Sequence, residues 1–325
     1  MLQSMKLPDG LWPVMLTPFT KTNEVDLDGL ERLTEFYIEA GSNGLFANCL
    51  SSEMYQLTEE ERLLVTSQVV KKSGERVPVV ATGTFSRSVA ENVAFIKKIH
   101  DTGVQAVILI TSMLAEPDES EEVLRGRLEQ ILEQTGQIPL GVYECPVPYK
   151  RLLSPALMQW MAQTGRFLYH KDTSCHSGAL ERKAQAIGGT DFNLYNADTT
   201  TALDSLDAGA NGISPISANY YPEPYRYLLD QYQQYGRSEE VTRLHAMLTM
   251  MDRVTHTYYP YAAKVFLQRR GLKIETSTRI PCETMPQVDR LRFQALMDSF
   301  QALAAQHGFP LVLQPVHYTD TTASL

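Results

Sequence analysis

Short apolar runs alternate along the chain with longer stretches in which apolar residues return at helical spacing. The runs fall at Leu11–Met15, Gly44–Ala47, Val77–Ala81, Ala106–Ile110, Ile138–Tyr143, Phe167–Lys171, Phe192–Tyr195 and Gly212–Ser214. Their length and composition predict eight strands, with amphipathic helices between them. Several helices carry start signals. Thr58-Glu59-Glu60-Glu61 and Ser88-Val89-Ala90-Glu91 read as capping boxes, and Ser154-Pro155 places proline at the first helical position.

One junction recurs. Helix end, glycine, then strand appears at Gly41 before Gly44-Leu45, at Gly103 before Ala106-Val107 and at Gly209 before Gly212-Ile213. Each first glycine stands where a helix needs a left-handed cap before a tight turn. Eight such βα units predict an α/β fold of the (β/α)8 TIM-barrel type, whose chemistry sits at the C-terminal ends of the strands. A doubly wound open sheet is the main competitor, but no GxGxxG opens a helix after the first strand. Beyond about residue 235 the strand signal stops, and helical patterns cover 238–252, 258–271 and 286–306. The expected division is therefore a barrel over 1–235 and a C-terminal helical appendage over 236–325. Tyr221, Tyr225, Leu228, Leu229 and Tyr232 lie at helical spacing and predict a packing or subunit face. From Thr319 on the chain reads as a polar, frayed tail.

A length of 325 residues fits that barrel with its appendage, or two ordinary domains. A net charge of −9 without any basic run argues against nucleic acid as a partner. No apolar stretch reaches membrane-spanning length, and Met1-Leu2-Gln3-Ser4-Met5-Lys6 lacks the apolar region of a signal peptide. The four cysteines, Cys49, Cys145, Cys175 and Cys282, form no CxxC and read as reduced thiols of a cytoplasmic protein. Cys49, Cys145 and Cys175 fall near strand ends, and without HxH or HExxH they predict buried small side chains, with no metal and no organic cofactor.

Chemistry enters at Lys171, which closes the run Arg166-Phe167-Leu168-Tyr169-His170-Lys171. Strand alternation puts Tyr169 and Lys171 on one face and turns His170 toward the helix layer. A lysine held in a dry barrel end loses proton affinity, and a neutral amine attacks carbonyl carbon. Other strand-end loops carry Asn48-Cys49-Leu50-Ser51-Ser52-Glu53, Tyr143-Glu144-Cys145-Pro146 and Asn196-Ala197-Asp198-Thr199. An amine, a phenol on the neighbouring strand and small hydroxyls suit Schiff-base chemistry on a 2-oxo acid. Asp198 has a second reading as the start of the following helix.

From Gly10 to Asn219 the chain resembles the dihydrodipicolinate synthase / N-acetylneuraminate lyase superfamily of class I aldolases. The resemblance rests on Thr17-Pro18-Phe19, Cys49-Leu50-Ser51-Ser52-Glu53 with Leu57-Thr58-Glu59-Glu60-Glu61-Arg62, Tyr143-Glu144-Cys145-Pro146, Lys171-Asp172, Ala197-Asp198 and Gly209-Ala210-Asn211-Gly212-Ile213-Ser214. It implies Lys171 as the imine-forming residue, Tyr143 as proton shuttle and Ser51 and Ser52 as carboxylate binders. Glu144, Asp198 and Ser214 are further substrate-binding candidates. It also implies a homo-oligomer, often a tetramer. The departures bear on specificity. Leu50 stands where the family has a relay hydroxyl, Leu114 where the synthases have a tyrosine reaching a neighbour's site, and Pro148 where they have a substrate-gripping arginine. Lys150 and Arg151 are close to that position but displaced.

These features predict a lyase that cleaves a 2-oxo acid to release pyruvate, or condenses pyruvate with an aldehyde. Three other readings stay open. One is dehydration of a 2-oxo-3-deoxy sugar acid, with Glu144 as its base. The others are dihydrodipicolinate synthesis itself, which the departures disfavour, and a barrel that binds a 2-oxo acid without turnover.

Overall fold

The computed structural model describes residues 6–313; residues 1–5 and the polar tail from Thr319 on lie outside them. Eight parallel strands run in the order of the chain: β1 (Gly10–Leu11), β2 (Leu45–Phe46), β3 (Val79–Thr82), β4 (Ala106–Ile110), β5 (Leu140–Tyr143), β6 (Phe167–Asp172), β7 (Asn193–Asn196) and β8 (Gly212–Ile213). Each pairs with its successor from β2 to β8, and β8 pairs with β1. Just past β1, the Met15 N–H donates to the Phe46 carbonyl at 2.9 Å and the Phe46 N–H to that of Pro13 at 3.0 Å. Those bonds join the ends of the sheet and close a (β/α)8 barrel.

The helices are α1 (Leu27–Glu39), α2 (Glu59–Ser73), α3 (Val89–His100), α4 (Thr111–Leu114), α5 (Glu121–Gln134), α6 (Pro155–Gln163), α7 (Ser177–Ile187), α8 (Ala202–Asp207) and α9 (Pro222–Tyr235). After them come α10 (Glu239–Thr255), α11 (Tyr261–Arg269) and α12 (Gln287–His307), which form the C-terminal helical extension. The capping box at Thr58 is complete. Its hydroxyl accepts from the Glu61 N–H at 3.2 Å while Glu61 takes the Thr58 N–H at 2.9 Å. At Ser88 the box is half made, because the Glu91 carboxylate turns instead to the Ser86 hydroxyl. The recurrent junction glycines have φ of +85° (Gly41), +94° (Gly103) and +93° (Gly209), a region closed to most side chains.

Two apolar layers hold the barrel. Leu30, Leu33, Ile96, Leu109, Leu128, Val142 and Leu180 pack between strands and helices. Inside the barrel Trp12, Phe46, Tyr169 and Tyr195 form an aromatic plug, with Tyr169 stacked on Tyr195 at 4.6 Å and Trp12 5.2 Å from Tyr169. Each fully buried apolar side chain of this size contributes roughly 1.5–3 kcal/mol. The plug also fixes depth, because residues one strand step above it reach the barrel mouth. Tyr221 and Tyr225 are buried within the chain, with Tyr221 facing Phe266 and Phe300 of α11 and α12 at 5.9 Å. Of the two readings of that stripe, internal packing is the one realised for these rings.

Candidate active site

A register shift builds the site. Leu140 pairs with Phe167 but Gly141 pairs with Tyr169, so Leu168 is an extra residue in β6. The bulge sets Tyr143 directly opposite Lys171 at the mouth-facing ends of β5 and β6. Gly141 permits it, since a Cβ there would lie 2.5 Å from Ile108 Cδ1 and 2.7 Å from the Tyr169 carbonyl oxygen.

Lys171 is 2% exposed and its Nζ lies 5.3 Å from the centre of the Tyr143 ring. Burial pushes the amine down to about 8, although the thiols of Cys49 and Cys145 work the other way when ionised. Those thiols are themselves raised by burial, so at neutral pH they offer little countercharge. About a tenth of the amine is then neutral at pH 7. Tyr143 is held well above its ordinary value, first by burial and then by the same two thiols. Its hydroxyl contacts Cys145, which also meets Tyr55, and Tyr55 donates to the Val147 carbonyl at 3.0 Å. The phenol is therefore a proton donor at rest.

The structure separates the other expected site residues. Ser51 is buried beside this mouth and meets the hydroxyl of Tyr259, which lies between α10 and α11. Ser52 is a correction. Its hydroxyl sits 2.7 Å from the Met15 carbonyl, faces that of Ala47 and accepts the Cys49 N–H at 3.1 Å, so it ties the loop together. Ser214 is likewise turned to structure: it donates to the Trp12 carbonyl at 2.7 Å and braces β8 on β1. Asp198 accepts from the Thr201 N–H at 3.1 Å and hydroxyl at 2.9 Å, capping the approach to α8 as its second reading expects. Arg151 donates to the carbonyls of Glu116, Glu119 and Ser120. Lys150 reaches the rim, donating to the Thr173 carbonyl at 2.7 Å.

Glu144 is the largest correction. Being out of phase with Tyr143, its side chain lies behind the strand and is fully buried. It accepts from the Leu153 N–H at 2.8 Å, and Lys183 Nζ lies 2.5 Å from both Glu144 and Asp172. His170 lies 3.4 Å from the same carboxylate, facing outward as strand alternation requires. Burial opposes the charge on Asp172, but His170, Lys183 and Ser174 outweigh it and keep the carboxyl below its ordinary range. Glu144, His170 and Asp172 have metal-like donor spacing, yet the Lys183 ammonium fills the place between the carboxylates. Glu144 is therefore no base for a substrate in the mouth. Its role is to anchor the outer sides of the two strands that carry Tyr143 and Lys171.

The sequence profile of the dihydrodipicolinate synthetase family matches residues 7–300. The chain belongs to that family. Its members are pyruvate-dependent enzymes of the class I aldolase or lyase type, and this chain is an enzyme of that class. It is 27% identical over 290 residues to a 4-hydroxy-tetrahydrodipicolinate synthase of Oceanobacillus iheyensis, covering 88% of this chain and 95% of the relative. A counterpart from Bacillus subtilis is also 27% identical, over 85% of this chain and 94% of its own. Among solved structures, dihydrodipicolinate synthase of Bacillus anthracis superposes with a TM-score of 0.81 at 22% identity, covering 92% of this chain and 99% of that one. The enzyme of Cyanidioschyzon merolae, solved with lysine bound, gives 0.82 at 19% identity, over 91% and 99%. At such identities the superpositions speak for the fold. Among the described residues no helix is long and apolar enough to cross a membrane.

Two features of the site escape the sequence pattern. Tyr259 falls at the start of the stretch read as helical from 258, just ahead of α11, and neither that pattern nor the tyrosine pair before Pro260 says anything of a barrel mouth far upstream (Ser51 and Tyr259 are 208 positions apart). Lys183 sits on the inner face of α7, where a lysine would ordinarily be read as solvated.

Proposed function

We propose that this enzyme cleaves a 2-oxo acid to pyruvate and an aldehyde, or joins the two, through an imine on Lys171. The observation that carries the reading is a dry, weakly basic amine beside a protonated phenol at the mouth of the barrel. The neutral amine attacks the ketone carbon of the substrate, and the carbinolamine loses water as Tyr143 gives its proton to the departing hydroxyl. The Tyr143 phenolate then takes the proton of the hydroxyl beyond the adjacent carbon; that oxygen becomes the carbonyl of the departing aldehyde as the carbon–carbon bond breaks, and the bond's electron pair passes to the protonated imine to leave an enamine. Protonation of the enamine and hydrolysis return pyruvate and the free amine. Ser51 and the N–H groups of its loop hold the carboxylate.

Leu114 and Pro148 replace groups that the family resemblance ties to dihydrodipicolinate synthesis, and this supports an aldehyde partner other than that of the synthases. Lys150, whose ammonium donates to the Thr173 carbonyl at 2.7 Å just past β6, supports a cation at the rim for an anionic group of that partner. The four free cysteines support residence in a reducing compartment. The family also supports assembly into a homo-oligomer, which light scattering of the purified chain measures.

The test is borohydride reduction in the presence of pyruvate, followed by peptide mass mapping. A reduced pyruvate adduct on Lys171 is expected, together with pyruvate release from at least one member of a panel of 2-oxo acids. An adduct without release across the panel would favour a binding barrel. Absence of an adduct would refute the imine.

A further inference from the structure

The seam between β5 and β6 changes character at the reacting pair. As far as Tyr143 and Lys171 the two strands are joined by their ladder. The next bond, from the Glu144 N–H to the Lys171 carbonyl, is long at 3.3 Å. On its other side β6 stays tightly held, with the Ala197 N–H 2.9 Å from the Asp172 carbonyl. Side chains take over where the ladder loosens. Thr173 gives its hydroxyl proton to the Glu144 carbonyl at 2.6 Å and its N–H to the Glu144 carboxylate at 3.3 Å.

The stronger tie is Lys183. Its ammonium donates to Glu144 Oε1 and to Asp172 Oδ2, each at 2.5 Å, and all three side chains are buried. Each carboxylate is also held by its own strand-end loop. Glu144 accepts from the Leu153 N–H at 2.8 Å, and Asp172 from the Ser174 N–H and hydroxyl at 2.7 and 2.6 Å. Glu144 directly follows Tyr143, and Asp172 directly follows Lys171. One cation therefore joins the residue after the phenol to the residue after the amine, from behind the strands. In a dry space such charge-assisted bonds are short and directional. Lys183 itself lies on the helix side and touches nothing in the mouth, so any effect on the chemistry passes through the two strand ends.

We propose that Lys183 is a positioning residue of this active site: by clamping Glu144 to Asp172 it holds the Tyr143 phenol against the Lys171 amine. This rests on the imine reading above and deepens it. The phenol has to deliver its proton while the carbinolamine hangs on Lys171, so that step depends on their separation. Capture of the substrate carboxylate, placed at the Ser51 loop, does not. Loss of the clamp should slow imine formation and leave the grip on pyruvate nearly intact.

The test mixes protein with pyruvate, quenches with borohydride at set times and counts the adduct by mass, per folded molecule from near-ultraviolet circular dichroism. Lys183→Met is expected to slow imine formation at saturating pyruvate by roughly tenfold to a hundredfold, with half-saturating pyruvate within about twofold. Adding Glu144→Gln removes the carboxylate left unpaired, so stability returns in part while the rate stays low, because no cation joins the strands. In a Tyr143→Phe background Lys183→Met should cost less than about twofold more, since the phenol it positions is already gone. An unchanged rate in Lys183→Met would overturn the proposal, as would a rate that recovers with stability in the double variant. So would an equal loss in the Tyr143→Phe background, the result expected if Lys183 acted only through the charge on Lys171 or through folding. Should Lys183→Met alone not fold, the Lys183→Met and Glu144→Gln double variant decides by the same rate and the same half-saturation. Failure of the unsubstituted protein to trap pyruvate would overturn the imine reading instead, and this role with it.

Discussion

Replacing Lys171 by Met should abolish imine formation and at the same time make the protein more stable. The amine is lowered from the ordinary lysine value of 10.5 to about 8, chiefly by burial. That difference of roughly 2.5 units corresponds to about 3.4 kcal/mol spent on keeping a charged ammonium in the barrel at neutral pH. Methionine fills nearly the same volume without charge, so little packing is lost. The sign follows from linkage. Between about pH 8 and 10.5 the unfolded chain binds the lysine proton and the folded chain does not, so wild-type stability rises with pH across that window. The gain from Lys171→Met should therefore be greatest below pH 8, roughly 2–4 kcal/mol, and fade as pH approaches 10.5. Urea unfolding of both proteins at several pH values measures it; groups distant from Lys171 cancel, and repeating the pair in a Cys49→Ala, Cys145→Ala background removes the two thiols that sense its charge. A variant less stable than wild type at pH 7, or a gain independent of pH, would refute the claim that burial tunes this amine.

Lys183→Met leaves Glu144 and Asp172 facing each other in the interior without their shared cation. A loss of about 3–5 kcal/mol is expected in urea unfolding, with Glu144→Gln added to it recovering part of the loss. Ser51→Ala and Ser52→Ala should part company. The first should weaken pyruvate trapping with little change in stability, and the second should lower the thermal midpoint because the Cys49 N–H and the loop lose their shared partner. His256 is raised by its hydrogen bond to Asp252, 3.0 Å away, so its charge is retained above the ordinary histidine range and lost as pH rises through the raised value. Proton NMR titration should find it there, and Asp252→Asn should bring it down.

Much of the barrel is legible in the chain because local rules state it. Runs of buried strand residues, caps such as Thr58 with Glu61, and glycines where φ must be positive all act over a few positions, and they place eight strands within a few residues of where they form. Lys171 and Tyr143 are legible for the same reason: each ends an apolar run, and alternation decides which face it takes. The phase of Glu144 was equally readable, since it follows Tyr143 by one position and must point the other way. Motif resemblance pulled it to the mouth, and strand geometry takes it out again.

What the sequence by itself determined is the fold class, the family and the two strand ends that carry an amine and a phenol, because periodicity and short motifs are properties of neighbours along the chain. Only the tertiary structure decided the one-residue bulge that aligns them, the occupation of Ser52 and Ser214 by carbonyls, the burial of Lys183 between two carboxylates and the arrival of Tyr259 beside Ser51. Each of these depends on which distant groups must share a dry space, where every donor has to find an acceptor and every charge a partner. No spacing in the chain encodes that pairing.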